Sequence, residues 1–218
     1  MVNPKSEILN LKYLKSILQR LYPYGICRQG QAVYLTFDDG PIPEVTPRVL
    51  EILDRYGVKA TFFMVGDNVR KYPELMEEIA RRGHRLGNHT FNHIGGFGYR
   101  SKTFLRNAYE ADKLIHSHLF RPPRGWMRWT QYMRLRRKFT IIMWDVVTRD
   151  YSRLLTADDV VNNVKRYTRN GSIITFHDSL KSIDKLRTAL PQSIEWLQAQ
   201  GYEFRLFDVN QPRSRHLK

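Results

Sequence analysis

Residues 34–41 read YLTFDDGP, so apolar and β-branched side chains lead directly into two adjacent carboxylates and a Gly-Pro turn. Neighbouring side chains on a β-strand point to opposite faces of the sheet. Asp38 and Asp39 can therefore serve two separate purposes only where the backbone bends between them or just after them. The pattern predicts a strand over residues 32–37 that ends at this carboxylate pair.

Strand and helix patterns alternate along the rest of the chain. Runs rich in β-branched and aromatic residues predict strands over 59–66, 84–89 (a short strand or turn), 139–146, 172–178 and 202–208. Apolar spacing and capping residues predict helices over 47–56, 72–83, 102–118, 156–171 and 182–201, the last interrupted by a proline. A further helix over 5–22 precedes the series. The alternation predicts an α/β fold with mostly parallel strands.

Length and composition limit the class of protein. The 218 residues fit one domain with a sizeable core. No run approaches the roughly 20 apolar residues that span a bilayer. Residues 1–30 lack a signal-peptide pattern, so the expected location is the cytoplasm or the cytoplasmic face of a membrane. Because Cys27 is the single cysteine, an intramolecular disulfide and a cysteine-based metal cluster are excluded.

The chain is strongly basic, with 36 Lys and Arg against 21 Asp and Glu and a formal net charge of +15. This charge favours an anionic polymer or a membrane surface as a partner, and it fits a merely basic soluble surface equally well. The densest basic run, residues 121–139, is interleaved with aromatic side chains, as nucleic-acid grooves can be. No nucleic-acid-binding module surrounds it, which disfavours a nucleic-acid partner.

Ionisable residues recur where the predicted strands end. In α/β folds the carboxyl ends of parallel strands carry the functional side chains. Four such ends carry Asp38 with Asp39, Asp145 with Asp150, His177 with Asp178, and His89 after the short strand. This recurrence predicts one site assembled at one edge of the sheet.

His89 and His93 are four residues apart, a spacing that on a helical turn puts both imidazoles on one face. Alone, such a pair is more commonly two ordinary residues, and Asp-Gly-Pro is also good turn chemistry. Together, two histidines and one carboxylate form the ligand set of a hydrolytic zinc site with an open position for water. One aspartate then holds metal, and the other remains available as a base.

Five short motifs carry a resemblance to a known family. TFDDGP (36–41), HTFNH (89–93), RPPRG (121–125), WDVVTRDY (144–151) and IITFHD (173–178) occur in the order of the five motifs of the polysaccharide deacetylases. This group is the NodB-homology domain of carbohydrate esterase family 4. The resemblance spans about residues 32–207, between a lead-in over 1–31 and a basic tail over 208–218. It implies a distorted (β/α) barrel with about seven mostly parallel strands, here preceded by an N-terminal helix.

The resemblance also implies roles for the ionisable residues. Asp39, His89 and His93 match a metal triad that usually holds zinc, with cobalt or another divalent ion as an alternative. Asp38 matches the general base and His177 the general acid. Arg121 matches the residue that pairs with and positions the base. Asp150 matches the carboxylate that orients the acid and raises its pKa.

Substrate contacts are implied around the same motifs. The backbone N-H of Arg124, beyond Pro123, matches an oxyanion contact, and Trp126 could stack on a sugar ring or close the barrel mouth. The sequence departs from the family at Tyr151, where a tryptophan is usual, and at Thr175, where a leucine is usual. Both changes predict a more polar acetyl pocket.

The predicted function is therefore metal-dependent hydrolysis of the acetyl group of N-acetylated sugars, or of O-acetylated ones, in an oligosaccharide or polysaccharide. Two alternatives remain open. The same chemistry could act on another amide, since Tyr151 and Thr175 alter the pocket. A non-catalytic module could instead hold an anionic polymer through the +15 surface.

Overall fold

The computed structural model describes residues 31–207. The predicted helix over 5–22, Cys27 and the predicted basic tail over 208–218 lie outside the described residues. The described residues are the part of the chain that the sequence assigns to the barrel.

Eight parallel strands form one sheet. They are β1 Ala32–Asp38, β2 Thr61–Met64, β3 Arg85–Asn88, β4 Leu119–Phe120, β5 Thr140–Ile141, β6 Val146–Val147, β7 Ser172–His177 and β8 Glu203–Phe204. The order is β5-β4-β3-β2-β1-β7-β6, and β8 pairs with the beginning of β1. The helices are α1 Thr46–Arg55, α2 Gly66–Lys71, α3 Pro73–Arg81, α4 Ser101–Ile115, α5 Trp129–Leu135, α6 Ala157–Tyr167 and α7 Ile183–Ala199.

β1 lies between β2 and β7 and is buried along its whole length. Val33, Leu35 and Phe37 belong to the large apolar core that includes residues of the helices, whereas Tyr34 packs in a second cluster of strand residues. Because side chains alternate along a strand, Asp38 shares the face of Tyr34. The residue that ends β1 therefore points to the interior of the curled sheet.

The predicted single strand over 139–146 is wrong. β5 and β6 are instead the two ends of the strand order, and residues 142–145 join them without extending either strand. The sheet must therefore curl until its edges come within reach of a four-residue connection. The Arg121 guanidinium donates to the carbonyls of Ile142 and Met143, both at 3.3 Å, which lie in that connection. The expected distorted (β/α) barrel is confirmed, with an irregular seam.

Smaller differences have local causes. α7 runs unbroken through Pro191, because apolar residues on both sides of the proline are buried in the core, which offsets the lost backbone hydrogen bond. The last strand is shorter than predicted, and α2 and α5 are short helices that the sequence patterns did not indicate. Within residues 31–207, no helix is long and apolar enough to cross a membrane.

Candidate active site

The carboxyl ends of β1, β3 and β7 bring the predicted ionisable residues to one edge of the sheet. Asp38 and His177 face each other in register as the last residues of β1 and β7. His89 directly follows β3, and Arg121 directly follows β4. Residues 139 positions apart in the chain thus become neighbours because their strands are hydrogen-bonded.

A backbone bend separates the two adjacent aspartates. Asp39 has φ +86°, in the left-handed region that non-glycine residues rarely adopt. The buried Asp178 carboxylate supports this turn by accepting hydrogen bonds from the Gly40 amide at 3.0 Å and the Thr46 hydroxyl at 2.7 Å. Burial raises the pKa of Asp178 to about 8 despite these two donors. A Cβ at Gly40 would lie 1.9 Å from Asp178 Oδ2, so only glycine fits the turn.

His89 and His93 converge through an irregular loop rather than a helical turn, which corrects the geometric basis of the sequence prediction. The segment is non-helical, and Thr90 and His93 have positive φ angles of 65° and 54°. Asn107 on α4 fixes the loop, since its Oδ1 accepts from the amides of Phe91 at 2.8 Å and Asn92 at 2.9 Å. The two histidines are four residues apart as predicted, but their imidazoles come together because Asn107, a side chain of the following helix, holds the loop between them.

Asp39, His89 and His93 form a group with the dimensions of a metal site. One ligand atom from each lies within 4.8 Å of the others. Asp39 Oδ1 is 3.1 Å from His93 Nε2 and 3.8 Å from His89 Nε2, yet this buried oxygen makes no hydrogen bond. Burial raises the pKa of Asp39, but the nearby His93, His89 and His177 lower it well below its ordinary value. A convergent, unbonded carboxylate oxygen beside two imidazole nitrogens fits a divalent cation.

The tautomer of His89 suits this role. Its Nδ1 lies 2.8 Å from the carbonyl oxygen of Arg121, so Nδ1 carries the proton and donates it there. The lone pair of Nε2 then faces Asp39. Burial lowers the pKa of His89 to about 4, which keeps the imidazole neutral. Metal-binding histidines are commonly oriented by such a bond from the second ring nitrogen.

Asp38 is held by a fully buried arginine. Arg121 is 0% exposed, and its Nη1 lies 2.6 Å from Asp38 Oδ1. The same nitrogen donates to the hydroxyls of Thr36 at 2.8 Å and Thr175 at 3.1 Å. The second carboxylate oxygen of Asp38 lies 4.0 Å from His89 Nε2 and remains available toward the triad. The predicted pairing is present, while the catalytic role of Asp38 stays a prediction.

Thr175 is buried and contacts Thr36 and Arg121. It is 2% exposed, and its hydroxyl lies 3.0 Å from that of Thr36, beneath the site. Thr36 Oγ1 donates to the carbonyl of Ile174 at 2.9 Å, so Thr175 donates to Thr36 and accepts from Arg121. Thr175 thus contacts Arg121, while its predicted effect on an acetyl pocket stays a prediction.

His177 lies opposite the triad and is coupled to a buried carboxylate. Asp150 is 0% exposed and accepts from the His177 backbone amide at 2.7 Å, while His177 Nδ1 lies 2.8 Å from Asp150 Oδ1. Burial lowers the pKa of His177, but the charge and hydrogen bond of Asp150, with Asp38 and Asp39 nearby, raise it to about 9. The imidazole is therefore held protonated, and its Nε2 can donate.

The predicted substrate contacts surround these groups. Pro123 is buried, whereas Arg124 and Trp126 are exposed beyond it. Because prolines lack an amide hydrogen, the backbone N-H of Arg124 is the first donor after Arg121. Tyr151 is 41% exposed and packs edge-on against His177, with ring centroids 4.7 Å apart.

An open cavity of about 330 Å³ adjoins the triad. Its lining residues are Asp39, Ile42, Val65, Asp67, Asn68, Asn92 and His93. Asn68 donates to the carbonyl of Asp39 at 2.8 Å and so helps hold the ligand turn. No sequence signal identified Asn68, Asn107 or Thr36, because single polar residues acquire these partners only through the fold.

Asp145 does not join the site. Its carboxylate accepts from the Ile173 amide at 2.6 Å and the Ser172 hydroxyl at 2.9 Å, at the beginning of β7. His84 precedes β3 and accepts from the Ala60 amide at 3.2 Å. Both residues therefore have structural partners at the amino ends of the strands, on the side of the sheet opposite the site.

Known proteins share this architecture. Residues 25–137 match the family model for polysaccharide deacetylase. A peptidoglycan-N-acetylglucosamine deacetylase from Bacillus cereus is 30% identical over 180 residues, covering 79% of this chain and 84% of the relative. A chitooligosaccharide deacetylase from Bradyrhizobium sp. is 31% identical over 199 residues, covering 83% and 90%.

A solved structure adds a contrast. A carbohydrate esterase family 4 pseudoenzyme from Bacillus anthracis matches with a TM-score of 0.72 and 26% identity, covering 81% of this chain and 64% of that one. The fold therefore occurs with and without activity, and the functional argument rests on the residues of the site.

Proposed function

This chain belongs to the polysaccharide deacetylase family, and we propose that it uses a divalent metal ion to hydrolyse the acetyl group of N-acetylated sugars in an oligosaccharide or polysaccharide. The family model and the named relatives show that the chain is a carbohydrate deacetylase, which is a hydrolase. The observation that carries the mechanism is the grouping of a three-residue metal-ligand set with one buried carboxylate and one protonated histidine.

Asp39, His89 and His93 would hold the metal. A cation bound there would supply an acidified water and a positive charge near the acetyl carbonyl. Zinc is the metal that we propose, because two imidazoles and one carboxylate with an open position are typical of hydrolytic zinc sites. Cobalt and other divalent ions suit the same ligands.

Asp38 would act as the base. Its Oδ1 is bound to Arg121, and its Oδ2 faces the triad, 4.0 Å from His89 Nε2. The free oxygen can accept the proton of a water that attacks the carbonyl.

His177 would act as the acid. An amine is a poor leaving group unless it is protonated, so cleavage of the amide needs a proton donor. The Asp150 carboxylate keeps His177 protonated and fixes its Nδ1, which leaves Nε2 to deliver the proton. The backbone N-H of Arg124 would stabilise the oxyanion.

The decisive experiment is acetate release from N-acetylglucosamine oligomers and from acetylated peptidoglycan fragments. The protein is stripped with chelator and then given zinc or cobalt. We expect release only after metal is restored. His93→Ala should lose both acetate release and bound metal by elemental analysis. His118→Ala, an exposed histidine outside the site, is the matched control and should lose neither.

Two results would contradict the proposal. Acetate release at an undiminished rate from His93→Ala would remove the metal triad from the mechanism. Bound metal with no release from any acetylated sugar would favour another amide as substrate. Tyr151, which packs against His177, and Thr175, which contacts Arg121, are the residues to revert in that case.

A further inference from the structure

Most of the exposed apolar side chains lie on one face of the molecule. Eight large apolar residues are exposed among residues 31–207: Phe97, Tyr99, Trp126, Trp129, Met133, Tyr151, Leu154 and Leu180. Six of them lie in the loops that follow the carboxyl ends of β3, β4, β6 and β7, on the side of the sheet that carries the candidate site, and Trp129 and Met133 lie in α5, which follows one of these loops. We call this set the apolar rim. Scattered single residues are normal on a protein surface, but a one-sided distribution indicates a contact face.

The rim includes aliphatic residues that project well away from the body of the protein. Leu154 is 90% exposed and Leu180 is 60% exposed, on the loops that follow β6 and β7. Trp129 at 59% and Phe97 at 57% lie beyond β4 and β3. Four different loops therefore present apolar side chains around the site, rather than one loop forming a single patch.

Basic residues accompany the rim without acidic partners. Arg100, Arg124, Arg128, Arg153 and Lys181 are exposed in the same loops, and no ion pair within residues 31–207 engages them. Arg128 donates to the carbonyl of Phe97 at 3.1 Å. The acidic residues of these four loops, Asp150 and Asp178, are buried. Exposed acidic residues next to these loops in the chain are Asp158 and Asp184, in the first turns of α6 and α7, while Glu44 lies on the loop after β1.

Several basic residues on other surfaces are paired with acidic ones. Lys59 and Arg82 contact Asp54, Arg81 contacts Glu78, and Lys113 contacts Glu110. Other exposed basic residues on the helices, such as Arg55, Lys102 and Arg187, make no ion pair within residues 31–207, so positive charge is spread over the described surface. The apolar rim is what distinguishes one face of this basic surface from the others. Such a face attracts a partner that is anionic and apolar at once.

We propose that the apolar rim docks the catalytic face onto an anionic lipid bilayer. Leucine, tryptophan and phenylalanine enter the boundary between headgroups and acyl chains, while arginine and lysine extend to the lipid phosphates. A soluble acidic polysaccharide would match the cations but would leave Leu154 and Leu180 without apolar contacts. If the proposed activity holds, the consequence is that the substrate is an acetylated sugar presented at a membrane surface.

The test is sedimentation of the full chain with vesicles, without metal or sugar substrate. Vesicles of phosphatidylcholine are compared with vesicles of phosphatidylcholine and phosphatidylglycerol. We expect binding to the anionic vesicles only, weakening as salt rises. Leu154→Ser with Leu180→Ser should reduce the apparent partition by about tenfold or more. Arg153→Gln with Lys181→Gln should reduce it about fivefold for each charge removed.

The matched control is Arg81→Gln with Lys113→Gln, which removes two exposed charges. Both residues lie in the last turns of α3 and α4, at the helix ends that are remote from the rim loops. Its binding should fall less than that of the rim charge variant. All variants retain both chain termini, so a loss in the rim variants alone is due to the rim. Unchanged urea unfolding midpoints exclude misfolding as the cause.

Three outcomes would overturn the docking proposal. The first is no binding to anionic vesicles, and the second is equal binding by the leucine variant and the parent protein. The third is retention on soluble polygalacturonate that is lost in the rim variants while vesicle binding stays absent, which would identify an acidic polymer as the partner. Acetate release from soluble oligomers, measured separately, should be the same in the leucine variant and the parent. Failure of the proposed activity is therefore distinguishable from failure of docking.

Discussion

Replacing Arg121 by methionine tests whether the positive charge of Arg121 compensates the buried carboxylate of Asp38, the proposed base. Arg121 is 0% exposed, and Asp38 is 4% exposed. Their ion pair at 2.6 Å is thus almost fully removed from water. Methionine keeps much of the side-chain volume against the ring of Phe63, over which the guanidinium lies at 4.1 Å. The substitution therefore removes charge and donors with limited loss of packing.

The expected loss follows from those contacts. Breaking a buried pair by removing one partner costs about 3–5 kcal/mol, because the other charge remains buried and unpaired. The carbonyls of Ile142 and Met143 lose a donor as well. Arg121→Met should therefore lower the free energy of unfolding by about 3–5 kcal/mol. Adding Asp38→Asn removes the unpaired charge and should restore about 1–3 kcal/mol of that loss.

The assay is urea unfolding of metal-free protein, since a bound cation would partly replace the missing charge. Arg124→Met is the matched control, because Arg124 is an exposed arginine three positions further along the same loop, and its midpoint should not change. A loss below about 1 kcal/mol for Arg121→Met would refute the counter-charge argument. A double variant less stable than the Arg121→Met single variant would refute it as well.

Two further predictions concern pH and the layer beneath the base. Because Asp150 raises the pKa of His177 to about 9, turnover should fall as pH rises through the alkaline range and His177 loses its proton. A bound cation would offset the charges of Asp38 and Asp39, which also raise this pKa, so the fall in turnover should occur below pH 9. In metal-free protein this pair contributes stability that is complete below the unfolded pKa of about 6.5 and is lost as pH rises through about 9. Asp150→Asn should therefore move the alkaline limb of kcat to lower pH and destabilise the protein more at pH 6 than at pH 10; an unshifted limb would contradict the role of the pair. Thr175→Val removes one hydroxyl contact to Arg121 and should cost about 1.5–3 kcal/mol of unfolding free energy, with a fall in kcat at nearly constant KM. A change confined to KM would return Thr175 to the substrate pocket.

The family and its chemistry were accessible from short stretches of sequence. Asp38 with Asp39, and His89 with His93, are residue types whose chemistry and close spacing already indicate a hydrolytic metal site. The alternation of strand and helix patterns likewise indicated the fold class, since apolar periodicity records which side of each element is buried. These features are local, so no knowledge of distant contacts was needed.

Other features depend on which strands become neighbours. The sequence placed Asp38 and His177 at strand ends, but only the pairing of β1 with β7 made them face each other. Thr175 lies two residues before His177 on the same face of β7, one residue pair deeper in the barrel, where Thr36 and Arg121 meet it. The resemblance to the family implied a pocket role for Thr175 from its place in the motif, which does not show how deeply the residue lies in the barrel.

The sequence by itself determined the kind of chemistry, because ligand types, their spacing and strand ends are properties of short segments. Only the tertiary structure decided that Arg121 bridges Asp38 and the irregular seam between β5 and β6. It also decided that most exposed large apolar side chains of residues 31–207 lie in loops at the face that carries the candidate site. Burial and side-chain contacts between distant segments arise from packing of the whole barrel. A sequence pattern shows only which side of a single helix or strand is buried, and it does not show which distant residues that side contacts.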